Sequence, residues 1–232
     1  AWLGPRAYRP YQYNIAPDMF RWWEDYANQI SNNGIHYLDL IRWMLEEKAP
    51  VWITAGGGRY AVDDDRTIPD TMQATFEFAS GTIVSINIVE TSSGSFIPYG
   101  LIEMRGTNGT LLTGENDYRI IPTRPGQFQT WEKLMGAESV NMEKENSELL
   151  NDGSYRNSTA TMVRNFLDCI KSRQRPYCTL EEGHRSTSLA HLATIAMLTN
   201  EKLRWDADAE KFTNSDKANT MLGYEYRKPY KL

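Results

Sequence analysis

His36, Asn32 and Asp39 are the side chains in this sequence whose types and spacing point most directly to chemistry. At ~100° per residue of helix, Asn32, His36, Asp39 and Trp43 fall together within ~60° of arc. An imidazole with an amide four residues before it and a carboxylate three residues after it can be held in one tautomer. It can also exchange a proton near neutral pH. On this geometry alone a lone histidine on a helix is more often structural. His184 and His191 share a helical face seven residues apart but have no third ligand at metal spacing, so they read as ordinary surface or interface residues. Cys169 and Cys178 form neither a disulfide framework nor a zinc site.

The elements that must position these groups follow from periodicity. Ile35, Leu38, Ile41 and Leu45 form an apolar seam beside the polar line, so the stretch is a two-faced helix, stopped by Lys48-Ala49-Pro50. Val51 to Thr54 reads as a strand. Gly56-Gly57-Gly58-Arg59-Tyr60-Ala61 matches a dinucleotide fingerprint formally, yet Asp63-Asp64-Asp65 and Ile68-Pro69 follow it instead of a helix start. We therefore read it as strand-to-loop punctuation. Met72, Ala74, Phe76 and Phe78 alternate with polar residues. Ser80-Gly81 turns the chain, and Val84, Ile86 and Ile88 alternate in return, an antiparallel hairpin. Further strands are expected at Ile102–Arg105, Thr110–Leu112 and Tyr118–Ile121, the first two joined by an Asn108-Gly109 turn. Residues 122–155 read as a long irregular excursion, with a short helix around Trp131 to Leu134.

A helix capped by Asn157 or Ser158 carries Val163, Phe166, Leu167 and Ile170 on one face and ends before Pro176. Another runs from about Gly183 to Asn200 with Leu189, Leu192, Ala193 and Ala196 inward. The expected fold is α+β, a mostly antiparallel, open-faced sheet of four to six strands with helices packed on one face. One domain is expected over residues 1–232. Residues 1–21, rich in proline and aromatics, form an extended arm that must lie on something, and residues 224–232 form an extended tail.

A net charge of −5 argues against nucleic acid as a partner. No run of apolar residues is long enough to span a membrane. No signal peptide is visible, and the chain opens without methionine, as a fragment or processed product would. The compartment is left open between the periplasm and cytoplasm of a bacterium. Seven Trp and thirteen Tyr suit a carbohydrate-handling surface, and suit a large core or interface equally well.

The run Asn32-Asn33-Gly34-Ile35-His36-Tyr37-Leu38-Asp39 resembles the D-x-G-x-H-x-x-D segment of the Gfo/Idh/MocA oxidoreductases. Trp2-Leu3-Gly4-Pro5 with Arg9-Pro10-Tyr11 resembles a segment of one bacterial subgroup that follows the nucleotide-binding domain. Pro69-Asp70-Thr71 and Gly106-Thr107-Asn108-Gly109 resemble the family's substrate domain. Asn165 to Arg173, then Pro176 and Gly183-His184-Arg185-Ser186, is the most specific match to the subgroup. The resemblance covers nearly the whole chain, as the second half of a family member.

That resemblance implies a dihydrodipicolinate-reductase-like C-terminal domain. It would bind a sugar or polyol and build a homo-oligomer through its sheet face, and NAD or NADP would be held by a separate N-terminal nucleotide-binding domain. It implies His36 as general acid/base, Asn32 and Asp39 as groups orienting it or the sugar, and Gln29, Asp25 and Tyr26 as substrate contacts. Asn32 stands where the family motif has an acid, and an amide cannot relay a proton. Ala27-Asn28-Gln29 replaces a glycine-rich stretch. With no nucleotide fingerprint of its own, the chain alone is expected neither to hold the cofactor nor to turn over. Two other classes compete: a stand-alone carbohydrate-binding or scaffold domain, and metal-dependent sugar chemistry using His36, Asp39 and Asp63-Asp64-Asp65. Within the oxidoreductase class, transient oxidation that labilises a glycosidic bond is an alternative to simple dehydrogenation.

Overall fold

The computed structural model describes residues 3–11, 13, 23–92, 101–114, 117–122, 137–141 and 158–231. Its strands are β1 Pro50–Gly58, β2 Thr71–Phe78, β3 Ile83–Val89, β4 Ile102–Arg105, β5 Gly109–Thr113, β6 Asp117–Pro122, β7 Glu138–Asn141, β8 Leu203–Asp206 and β9 Lys211–Phe212. Its helices are α1 Gln29–Asn32, α2 Gly34–Leu45, α3 Ser158–Ser172, α4 Leu180–Thr199 and α5 Asp216–Asn219. The α+β class is as expected, but the strands divide between two antiparallel sheets, ordered β3-β2-β1-β8-β9 and β4-β5-β6-β7. The chain gathers into two compact units, Ala1–Ser92 with Leu180–Leu232, and Ser93–Thr179.

In the first unit the β2–β3 hairpin has the predicted register, from Thr71 opposite Val89 to Glu77 opposite Ile83. Met72, Ala74, Phe76 and Phe78 are buried on one face, while Gln73, Ser85 and Asn87 are exposed on the other. Gly81 makes the turn at φ +87°, a conformation that other residues rarely adopt. At Gly57 a Cβ would sit 2.4 Å from the Thr71 carbonyl oxygen, so only glycine lets β1 lie this close to β2. Helix α4 covers the buried face, packing on β1 and on α2. Its Leu189, Leu192, Ala193 and Ala196 point into the core, as their spacing predicts. Leu38 and Ile30 enter the same core beside Ile53, Phe76 and Leu203. Helix α2 ends where Glu46 turns left-handed at φ 55° and donates its amide to Arg42 and Trp43, just before Lys48-Ala49-Pro50.

The N-terminal arm lies on the C-terminal tail. Arg227 donates from its amide to the Pro5 carbonyl at 2.8 Å, from Nε to Arg6 at 2.9 Å and from Nη2 to Gly4 at 2.6 Å. Arg6 stacks 3.6 Å over Tyr224 and Arg9 lies 4.1 Å over Trp23, which anchors the arm by cation–π contacts.

The second unit is a meander of β4 to β7 with α3. Strand β7 lies within the stretch read as irregular; the helix expected around Trp131 to Leu134 falls outside the described residues. Helix α3 forms where periodicity places it, yet Phe166 is 59% and Ile170 46% exposed. Its apolar face is thus exposed among the described residues. No helix among those residues is long and apolar enough to cross a membrane.

Candidate functional site

The stretch carrying His36 is two helices. Asn28 caps α1 through a capping box with Ser31, and its Nδ2 donates to Thr194 Oγ1 on α4 at 2.8 Å. Asn33 both ends α1 and starts α2. A Cβ on Gly34 would lie 3.1 Å from Ile30 and 3.3 Å from Ile86, so glycine lets the new helix start tight against α1 and β3. Two residues on, His36 is exposed, and its amide donates to the Asn33 carbonyl at 3.3 Å. None of the described residues hydrogen-bonds its imidazole.

A row of polar side chains runs from the loop after β1 to this helix junction. Arg66, only 7% exposed, donates through Nε to both oxygens of Asp64 at 2.8 and 2.9 Å. Its Nη1 donates to Glu90 Oε2, and Glu90 Oε1 accepts from Gln29 Nε2. Gln29 Oε1 in turn accepts from Asn33 Nδ2 at 3.5 Å, and Asn33 Oδ1 accepts from Asn32 Nδ2 at 3.2 Å. The Arg66 guanidinium holds the Asp64 carboxyl below its ordinary pKa, chiefly by hydrogen bonding. Gln29, Asn33 and His36 follow one another at helical i, i+4, i+7 spacing, so the row ends one turn from the imidazole. Of the expected site residues, Gln29 and Asn32 are joined here through Asn33, and His36 lies three residues further on, with only its backbone amide bonded to Asn33.

The other expected residues belong to different networks. Asp39 Oδ1 accepts from the buried Ser186 hydroxyl at 2.5 Å, and Ser186 Oγ accepts from Arg42 Nε at 3.0 Å. Arg42 is buried and ion-paired with Glu182, so this network ties α2 to α4. Asp25 faces the arm, 3.9 Å from Arg6 and 3.8 Å from Arg9. Tyr26 directs its hydroxyl to the Leu3 carbonyl at 3.5 Å, and partial burial, then Asp25, push its pKa up.

The loop after the glycine run is also accounted for. Asp70, fully buried, accepts on Oδ2 from the amides of Tyr60, Ala61 and Val62 at 2.9, 3.0 and 2.9 Å, and on Oδ1 from Thr71 Oγ1 at 2.9 Å. Those bonds hold its pKa far below the usual carboxylate range. Three consecutive amides form a nest that could cradle a phosphate, but it is filled by the protein's own carboxylate. The glycine run therefore does not fit a dinucleotide. Among the described residues no three His, Cys, Asp or Glu side chains are placed to hold a metal ion, and Asp39 and Asp64 are engaged in separate networks.

Sequence reasoning missed Arg66, Glu90 and Ser186. Arg66 and Glu90 are far apart in sequence and meet only through the β2–β3 hairpin, which leaves no short-range signal. Arg42 did leave one, being a charge inside the apolar seam.

The sequence model of the oxidoreductase family C-terminal alpha/beta domain, the Gfo/Idh/MocA family, matches residues 13–204, and the chain belongs to that family. Its fold is similar to that of solved structures. One is an oxidoreductase from Agrobacterium radiobacter in complex with NAD+, L-tartaric acid and magnesium, with TM-score 0.58 and 16% identity over 85% of this chain and 54% of that one. Another is GenD2 from gentamicin A biosynthesis in complex with NAD, with TM-score 0.51 and 16% identity over 88% of this chain and 53% of that one. A third is an NAD-binding protein from Listeria innocua, with TM-score 0.50 and 16% identity over 81% of this chain and 55% of that one. The chain thus spans about half the length of each. No curated protein matches it at a significant level.

Proposed function

We propose that this chain is the substrate-binding and oligomerisation half of an NAD(P)-dependent oxidoreductase acting on a hydroxyl of a sugar, polyol or glycoside. The observation that carries this reading is the exposed His36 at the end of the Gln29–Asn33 row, in a chain of this family. In the proposed reaction His36 takes the proton of the substrate hydroxyl while the carbon gives up a hydride. The hydride acceptor, NAD or NADP, is held by the remainder of the protein. Gln29 and Asn32 offer amide donors and acceptors that suit neutral hydroxyls. Asp39, Asp25 and Tyr26 act at a remove, through the α4 tether and the arm. The open polar face of the β2–β3 hairpin, where Thr75 and Ser85 hydroxyls meet at 3.3 Å, is where copies of the protein would pack.

The test is calorimetry with NAD+ and NADP+ on this chain and on its longer native polypeptide, followed by His36→Ala in the longer form. Binding by the longer form alone, and a turnover loss of roughly 10²–10⁴-fold in the variant with an unchanged melting temperature, support the reading. No cofactor binding by either form, or unfolding of the variant, refutes it.

A further inference from the structure

The Asp64–Arg66–Glu90 group is an expensive construction for a surface helix end. A guanidinium only 7% exposed is held between two carboxylates, and the one of them facing α1 spends its remaining oxygen on Gln29. We propose that Glu90 is a positioning residue that fixes the Gln29 carboxamide for substrate, an inference that rests on the function proposed above. The geometry leaves one orientation. Ionised Glu90 only accepts, so the Gln29 nitrogen must face it, and the Gln29 oxygen then receives Asn33 Nδ2. A primary amide has two N–H donors and two lone pairs, so one donor and one acceptor remain on Gln29. That pair suits a hydroxyl, which both donates and accepts, using both free positions at once. Glu90 is itself set from both sides: Arg66 holds its second oxygen, and its amide donates to the Asp70 carbonyl at 3.0 Å. The segment that buries Asp70 therefore also places the carboxylate that orients Gln29.

Glu90→Asp separates this role from simple charge balance. Aspartate keeps a negative charge beside Arg66 but is one methylene too short to reach Gln29 as well. The Gln29 side-chain amide is followed by ¹H–¹⁵N NMR, assigned by its disappearance in Gln29→Ala. We expect a dispersed, slowly exchanging pair in the native protein that collapses to solvent-like shifts in Glu90→Asp, with the melting temperature nearly unchanged. In the longer native polypeptide, KM for a neutral sugar found by screening D-glucose, N-acetyl-D-galactosamine and myo-inositol should rise roughly three- to tenfold in both variants, with kcat within about twofold. An unchanged Gln29 resonance in Glu90→Asp, or a lower melting temperature with that resonance intact, overturns the positioning role. A collapsed resonance with an unchanged KM in Gln29→Ala leaves Glu90 fixing Gln29 but removes Gln29 from the substrate site, which refutes the proposed site instead.

Discussion

Removing the Ser186 hydroxyl tests whether α2, and with it His36, is held to α4 by the network described above. In Ser186→Ala the Arg42 Nε, which donates at 3.0 Å inside a side chain only 7% exposed, loses its acceptor. Leaving a buried donor without a partner costs about 2 kcal/mol. Alanine is the better helix former by about 0.5 kcal/mol, so the net loss is about 1.5 kcal/mol. Asp39 also loses a donor, but it is exposed and water replaces the hydroxyl at little cost. Asp39→Asn should therefore change stability by less than about 0.5 kcal/mol, because its amide oxygen can still accept from Ser186. Urea denaturation followed by tryptophan fluorescence separates the two variants. Ser186→Ala should lower the midpoint by about 0.5–1 M with an unchanged slope, and Asp39→Asn should leave it within error. A Ser186→Ala midpoint equal to that of the native protein would refute the argument, since Arg42 would then have other acceptors. Equal losses in the two variants would refute it differently, by placing the energy in the Asp39 bond.

Two further outcomes follow from the loop and the arm. Asp70 has a depressed folded-state pKa, so its ionisation adds stability that is fully present above the ordinary carboxylate pKa and is lost as pH falls toward the folded value. Asp70→Asn should be less stable at pH 7 and should lose less stability than the native protein between pH 4 and pH 2, measured by urea midpoints across that range. A parallel pH dependence in the two proteins would remove Asp70 as the titrating group. Arg227→Ala deletes two side-chain bonds to the arm, at 2.9 and 2.6 Å. Tryptic cleavage after Arg6 should quicken by roughly tenfold, as expected for an opening made easier by about 1.5 kcal/mol. Unchanged cleavage, read by mass spectrometry, would mean that the tail does not hold the arm.

Much of the fold is legible because its strands and long helices bury one face. Phe76 and Val84 alternate with Thr75 and Ser85, and period two leaves only one register that buries the first pair. The eight-residue span from Leu189 to Ala196 reads equally well. Legibility fails where elements are short or where cover is supplied from outside their own pattern. β9 has two residues, too few for any period. Helix α3 has an unmistakable apolar stripe, but a stripe states that cover is needed and not where it comes from.

The site shows the same division more sharply. Gln29 entered only through the family resemblance, whereas the 3.6-residue period put Asn32 and His36 on neighbouring ground. It placed Asp39 there too, on equal grounds, and could not tell that this carboxylate is drawn to Ser186, 147 residues later. Arg42 was the readable warning. It falls between Leu38 and Leu45 on the seam, and a guanidinium there must be paired or the helix would not bury that face. Its existence implies a buried acid or hydroxyl on whatever helix packs against α2. The Gly183-His184-Arg185-Ser186 motif supplies that hydroxyl, and Glu182 beside it supplies the acid. A motif that reads by resemblance as a family signature is thus, in physical terms, half of the joint that holds the histidine's helix in place.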